Sequence, residues 1–260
     1  MPAALEILSK AILPTHLSSD EIREFWAAEI RRGAFYSART AEADYLKRLR
    51  EICAAVADGR MDNATARMLL RAKLDEVGYD PEEAGDEGIQ NLASRRRLDL
   101  ILDTQRKMAH SAALVAAETP ESLDQFPAWR LERYGSRRVP RQDWAARWNA
   151  AGESVGWDGA ARGAMVALKA SPIWAALGDG AGGFRDTLGN PFPPFAYGSG
   201  MDWSPVGRDE AAELGLYGEG KEPPKPTLTP GRKKIADTLQ RLGPDFTKKL
   251  LADLEDDEDE

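Results

Sequence analysis

Apolar residues recur along most of this chain at three- and four-residue intervals, and one stretch changes period. From Arg95 onward, Leu98, Ile101, Leu102, Gln105, Ala109, Ala112 and Ala116 follow the i, i+3, i+4 rule. That spacing predicts a long amphipathic helix with its stripe against a core. Pro120 ends the pattern, because a proline cannot continue a hydrogen-bonded turn. After Pro127 the period becomes two: Trp129 and Leu131 alternate with Arg130, Glu132 and Tyr134, the mark of a half-buried strand. Pro140 suits the first turn of a further helix, on which Trp144 and Trp148 stand one turn apart. The convergence of these periodicities predicts that Trp129, Trp144 and Trp148 share one buried cluster with the Leu98–Ile101–Leu102 face.

Earlier in the chain, Ser18 and Glu21 form a capping-box pattern ahead of Ile22, Phe25, Trp26 and Ile30, with Gly33 as the stop. Thr40 is placed to cap a second helix carrying Leu46, Leu49, Cys53 and Val56, which Gly59 terminates. Asp62 caps a third, with Leu69, Leu70, Leu74 and Val77, closed by Gly78. Short turns between them predict an antiparallel helical array. Asp80 to Gly88 reads as an acidic loop.

Beyond Gly152 the apolar run Ala164–Leu168 predicts a second strand, and Ser171-Pro172 a helix start with Ile173, Trp174 and Leu177 inward. Gly178 to Pro205 has no period. It contains Phe184, Phe192, Phe195, Tyr197 and Trp203, too many aromatics for a disordered linker, so an ordered, packed loop is expected. Arg208 to Leu216 reads as a last short helix. A Pro/Gly/Lys-rich linker follows over 218–232. Within 233–260, Ile235, Leu239 and Leu242, then Phe246, Leu250 and Leu254, form two apolar stripes divided by Gly243-Pro244. Such short helices are marginal in water and need a partner surface. The expected fold is α+β and predominantly helical, with a helical region over 1–88 and a mixed module of two or three short strands over 89–217.

Composition changes this picture little. Hydrophobic residues make up 42% and charged residues 30%, as in an ordinary globular protein. The net charge is -8, but the run Glu255 to Glu260 supplies six of the negative charges, so the acidity belongs to a tail. The single cysteine, Cys53, excludes an intrachain disulfide and a cysteine-based zinc cage, and its helical stripe makes it a small buried hydrophobe. No run reaches the ~20 apolar residues of a membrane span. The N-terminus has Glu6 and no basic start, so no signal peptide is expected and synthesis is placed in a reducing, intracellular setting.

A search for reaction chemistry finds no constellation. His16 and His110 are isolated, and neither His-x-x-x-His, Cys-x-x-Cys nor HExxH occurs. Gly178 to Gly183 lacks the preceding strand and the Gly-Lys-Ser/Thr ending of a phosphate loop. Asp99 and Asp103 lie among Arg95, Arg96, Arg106 and Lys107, which predicts helix-surface ion pairs. No cofactor, metal or small-molecule substrate is expected, and no enzymatic activity. The electrostatic feature is Arg130, Arg133, Arg137, Arg138, Arg141 and Arg147, against Glu132 and Asp143. Planar guanidinium forks suit phosphate or carboxylate recognition, whereas a solvated turn with structural ion pairs needs no ligand. Both readings stand on the sequence.

Five stretches taken in order carry a resemblance. They are AFYSART (Ala34–Thr40), the run Ala57–Pro81 containing TARMLLRAKLDEVGYDP, RRLDLILDTQRKMA (Arg96–Ala109), FPAWRLERYGSRRVPRQDWAARWNAAG (Phe126–Gly152) and PFPPFAYGSGMDWSPVGRDEAAELGL (Pro191–Leu216). Through their order and spacing the chain, over roughly Ser18 to Leu216, resembles the Mu F-like minor head (head morphogenesis) proteins of tailed bacteriophages and prophages. The resemblance implies a virion structural protein, made in the bacterial host cytoplasm and placed in the head interior or at the portal vertex. Its implied partners are the portal protein and other head proteins, with packaged DNA as a further contact and no membrane. Many members have a histidine in the Arg-rich turn. Arg137 to Gly152 has none, so a histidine-dependent activity does not carry over. Two rival readings are a nucleic-acid-binding module using Arg130–Arg147, and an enzyme or toxin mounted on a phage-head module. Interaction residues expected outside the arginine segment are Leu239, Phe246 and Leu250 of the tail.

Overall fold

A computed structural model describes residues 3–80, 88–135, 141–157 and 163–216. Among these the chain forms two compact units, residues 3–110 and 111–216.

The first unit holds α1 (Ala3–Ser9), β1 (Ala11–Ile12), α2 (Ser19–Phe25), α3 (Ala28–Gly33), β2 (Ala34–Phe35), α4 (Ala43–Ala57), α5 (Asn63–Glu76) and most of α6 (Arg95–Ala116). Its main core is built by the stripes the sequence displays: Leu46, Leu49, Ile52 and Cys53 of α4, Leu70 and Leu74 of α5, and Leu98 and Leu102 of α6, with Ile7 and Phe35. Asp62 caps α5 as expected, its carboxylate accepting the N–H groups of Ala64 and Thr65 at 2.8 and 3.0 Å.

Two expectations are corrected here, and two elements are added. The helix opened by the Ser18–Glu21 capping box stops at Phe25, because Trp26 turns extended (φ −99°, ψ 125°). That turn buries its indole edge-on against Tyr36, with ring centroids 5.0 Å apart. Trp26 then nucleates a separate small core with Leu13, Ile22, Ile30 and Ala34, packed by Leu17, Tyr36 and Ala38. Thr40 does not cap α4. It forms an antiparallel bridge to Thr15, and Glu42 stands at the N-cap without a side-chain hydrogen bond. The lead before Ser18 holds a helix, α1, and a parallel pair, β1 with β2, in the register Ala11↔Ala34 and Ile12↔Phe35.

The second unit contains α7 (Pro120–Gln125), β3 (Ala128–Arg133), α8 (Trp144–Ser154), β4 (Val166–Leu168), α9 (Ile173–Asp179), β5 (Met201–Val206) and α10 (Arg208–Glu213). Pro120 both ends the preceding pattern and opens α7 at a position where no N–H is needed, behind a Thr119 cap. The three strands form an antiparallel sheet in the order β4-β3-β5, with Trp129 opposite Ala167 on one side and Pro205 on the other. The alternation holds along β3: Trp129 and Leu131 are buried, while Tyr134 just beyond it is exposed. The fold is α+β and predominantly helical, with this one small antiparallel sheet in its C-terminal half.

The tryptophans do not join the Leu98–Leu102 face. Leu98 and Leu102 belong to the first unit's core, whereas the three tryptophans lie in the second. There Trp129 stacks on Trp203 at 4.6 Å, Trp203 meets Trp174 edge-on at 5.7 Å, and Trp174 meets Trp148 at 5.2 Å. The aromatic chain thus links sheet to helices through residues that the sequence places in a loop. Only its last part is corrected, because Met201–Val206 is a strand.

The rest of that loop is packed as expected, with Phe195 fully buried and Phe192 nearly so. Gly178 shows how closely. A Cβ there would lie 1.8 Å from the Asn190 carbonyl oxygen, while the Gly178 carbonyl accepts the Gly189 N–H at 2.8 Å. Both sides of the clash are backbone, so neither can swing away. Gly178→Ala is expected to lower stability by about 1–3 kcal/mol or more through forced backbone movement. Urea unfolding checks it, and a midpoint equal to wild type would contradict the close approach.

Candidate interaction site

Of the six arginines that the sequence singles out, four lie among the described residues: Arg130, Arg133, Arg141 and Arg147. Arg137 and Arg138 lie outside them, as do Pro140, most of the Asp80–Gly88 loop, the linker, and Leu239, Phe246 and Leu250.

Each of the four is held within the second unit. On the outward side of β3, Arg130 pairs with Glu210 of α10. Arg133 donates to the Arg141 carbonyl at 2.7 Å. Arg141 donates to the Tyr197 carbonyl at 2.9 Å and pairs with Asp186 at 2.8 Å. Arg147 is the centre of the set. Its side chain is 6% exposed and reaches Asp143 at 2.9 Å and Asp186 at 2.7 Å. Its guanidinium lies 4.3 Å from the Phe184 ring centroid and 5.1 Å from that of Trp144.

This arrangement fixes the charge states. Burial works against the Arg147 cation, but hydrogen bonds and charge from Asp186 and Asp143 hold its pKa above the usual value. Burial raises the Asp186 pKa, and the Arg147 hydrogen bond and charge, with help from Arg141, more than reverse it, leaving the carboxyl below the ordinary aspartate range. The network ties α8 to the aromatic loop. Arg147 is buried within it, whereas Arg130 is half-exposed and Arg133 exposed.

The remaining candidates fall in separate places. His16 and His110 are both exposed, one in a loop and one on α6. Cys53 is buried, and burial pushes its thiol up to about 12. Asp99 pairs with Arg67 and Arg95, and Asp103 with Arg106 and Lys107, so these carboxylates are ion-pair partners on a helix surface. Gly180, in a left-handed conformation at φ 82°, closes α9, so the glycine run is a helix stop leading into a turn. Among the described residues no group of three or more His, Cys, Asp or Glu is placed to hold a metal ion, and no helix is long and apolar enough to cross a membrane.

Sequence reasoning missed three polar features. Asp186 is 39 residues from Arg147 and nothing in its neighbourhood signals the pairing. Lys169, at the end of β4, is buried in an ion pair with Glu118, its Nζ 4.2 Å over the Trp129 ring. Arg39 sits on a left-handed turn of the first unit. Compared with known proteins, the chain matches no protein-family model, no curated protein and no solved structure.

Proposed function

We propose that this chain is a non-enzymatic minor head protein of a bacteriophage or prophage, associated with the portal and acting in head morphogenesis or genome delivery. The reading rests on the five ordered stretches that resemble the Mu F-like family. One observation supports it above others: the described residues of those stretches supply framework. Ala34–Thr40 forms β2 and a turn that Arg97 holds through the Ser37 hydroxyl and the Ala38 carbonyl. Arg96–Ala109 lies within α6, Phe126–Gly152 supplies β3 and most of α8, and Pro191–Leu216 supplies β5 and α10. Several polar side chains in these segments hold elements together, as Arg147 holds α8 to the aromatic loop.

In this reading the partners are the portal protein and other head proteins, with packaged DNA as a further contact, and the protein resides in the head or at the portal vertex. The nucleic-acid alternative is weakened by the neutralisation of Arg130, Arg141 and Arg147 by Glu210, Asp186 and Asp143. The deciding experiment is the composition of purified heads from a strain expressing the tagged chain. The protein should be recovered in few copies with portal-containing heads. Its absence from heads, with the portal present, would overturn the proposal.

A further inference from the structure

Hydrogen bonds leave β3 on alternate sides. Leu131 donates its N–H to the Met165 carbonyl beside β4, whereas Tyr134, just past the strand, donates to the Gly200 carbonyl beside β5. The even residues of β3 therefore bond β5, in the register Arg130↔Ser204 and Glu132↔Asp202. On β5 the same alternation turns the N–H positions of Met201, Trp203 and Pro205 the other way, toward the free edge of the sheet. Asp202 and Pro205 are exposed, so this edge lies at the surface. A six-residue edge strand with an open row of donors is a template for pairing with another chain.

None of the three positions offers a donor. The Met201 N–H is taken by the Ser199 hydroxyl at 3.2 Å, and the Trp203 N–H by the Asp202 carboxylate at 2.9 Å. Pro205 has no N–H to give. Two of these residues work against the sheet they sit in. Asp202 stands directly opposite Glu132, and like charges so placed are unfavourable. Proline is depleted in strands and is tolerated there mainly at edges. At the opposite edge of the sheet, the Leu168 carbonyl of β4 accepts the Trp174 indole N–H and the Ser171 N–H, both at 2.9 Å.

We propose that Ser199, Asp202 and Pro205 form a guard that closes the β5 edge against a second copy of this chain. Without the guard, two copies would pair antiparallel along β5 and join two three-stranded sheets into one of six. The occupant is a second copy because an edge paired antiparallel with itself is closed by two-fold symmetry. Pairing of β5 with the β4 edge of another copy is opposed by the engagement of Leu168. The guard belongs to the fold itself and holds whether or not the chain is a head protein.

The test uses the full chain, with Asp202→Gln and Pro205→Thr combined. Both replacements are polar, so neither adds an apolar patch, and together they free two edge donors per copy. The concentration at which the protein self-associates should fall by at least about tenfold in sedimentation velocity, as for a few added backbone hydrogen bonds. Hydrogen exchange should show new protection at residues 203 and 205 in the associated form. Asp202→Gln alone should shift the association by less, and Asp202→Asn, which keeps the acceptor without the charge, should behave as wild type. Association of the folded double variant equal to that of wild type would overturn the guard. Association without protection on β5 would place the contact elsewhere and overturn it as well. Asp202→Asn associating as strongly as Asp202→Gln would make charge repulsion the barrier and overturn the capped donor.

Discussion

Replacing Trp148 with alanine is expected to cost about 3–5 kcal/mol, the range for emptying a large aromatic site in a packed core. Trp148 is 1% exposed on α8, where its ring meets Trp174 of α9 edge-on at 5.2 Å and Trp157 at 5.5 Å. An alanine would leave a void between the two helices that neither can fill without moving the aromatic loop, because Gly178 at the end of α9 is already in backbone contact with Asn190. Each lost edge-to-face contact adds roughly 0.5–1.5 kcal/mol beyond the area term. Trp148→Phe keeps most of the volume and should cost much less. The measurement is urea unfolding followed by tryptophan fluorescence, which here reports on one unit: six of the seven tryptophans lie between Trp129 and Trp203. A Trp148→Ala midpoint equal to wild type would show that the aromatic chain does not support the second unit.

What could be read from the sequence divides by the range of the interaction. Local periodicity located α4, α5, α6 and β3, since the pattern that places Leu46, Leu49 and Cys53 on one face is the pattern that buries them. Capping chemistry placed the starts of α2 and α5, because Ser18 and Asp62 act on N–H groups within three residues. The stripe of α6 was legible, but its destination was not. Apolar periodicity says that a face is buried, and it cannot name the surface that buries it, which is why it groups the tryptophans with the Leu98–Leu102 face.

Pairings between distant segments left no local trace. The two-residue strands β1 and β2 are too short for any period, and β5 lay hidden in a glycine- and proline-rich stretch. Trp26 looked like one more residue of a helical stripe, and only its tertiary contact with Tyr36 explains the break. At the candidate site the arginines were visible and their partners were not. Asp143 is four residues from Arg147 and could have been paired with it by helical spacing, whereas Asp186 needed the fold.

That pairing sets the second large effect. Arg147→Met retains length and apolar volume but removes the cation from between Asp143 and Asp186, and should destabilise the protein by about 1.5–3 kcal/mol at neutral pH, as for charge-assisted hydrogen bonds from a buried cation to carboxylates that keep part of their water. The loss has two parts. Asp186 keeps a half-buried negative charge with only Arg141 left to offset it, and the cation's contact with the Phe184 ring disappears. The pH dependence separates this from a simple packing defect. In wild type the Asp186 carboxyl has a folded-state pKa held below its unfolded value of about 3.9. Its contribution is therefore fully present above that unfolded value and is lost as pH falls through the folded one. Arg147→Met removes the chief cause of the depression, so mutant and wild-type stabilities should converge as the medium is acidified below the ordinary aspartate range, with the gap widest at neutral pH. Urea midpoints measured from neutral to strongly acid pH, with Asp186→Asn as a parallel variant, check the sign. A gap that stays constant across that range would assign the loss to packing alone and remove the ion pair from the account of how α8 is held.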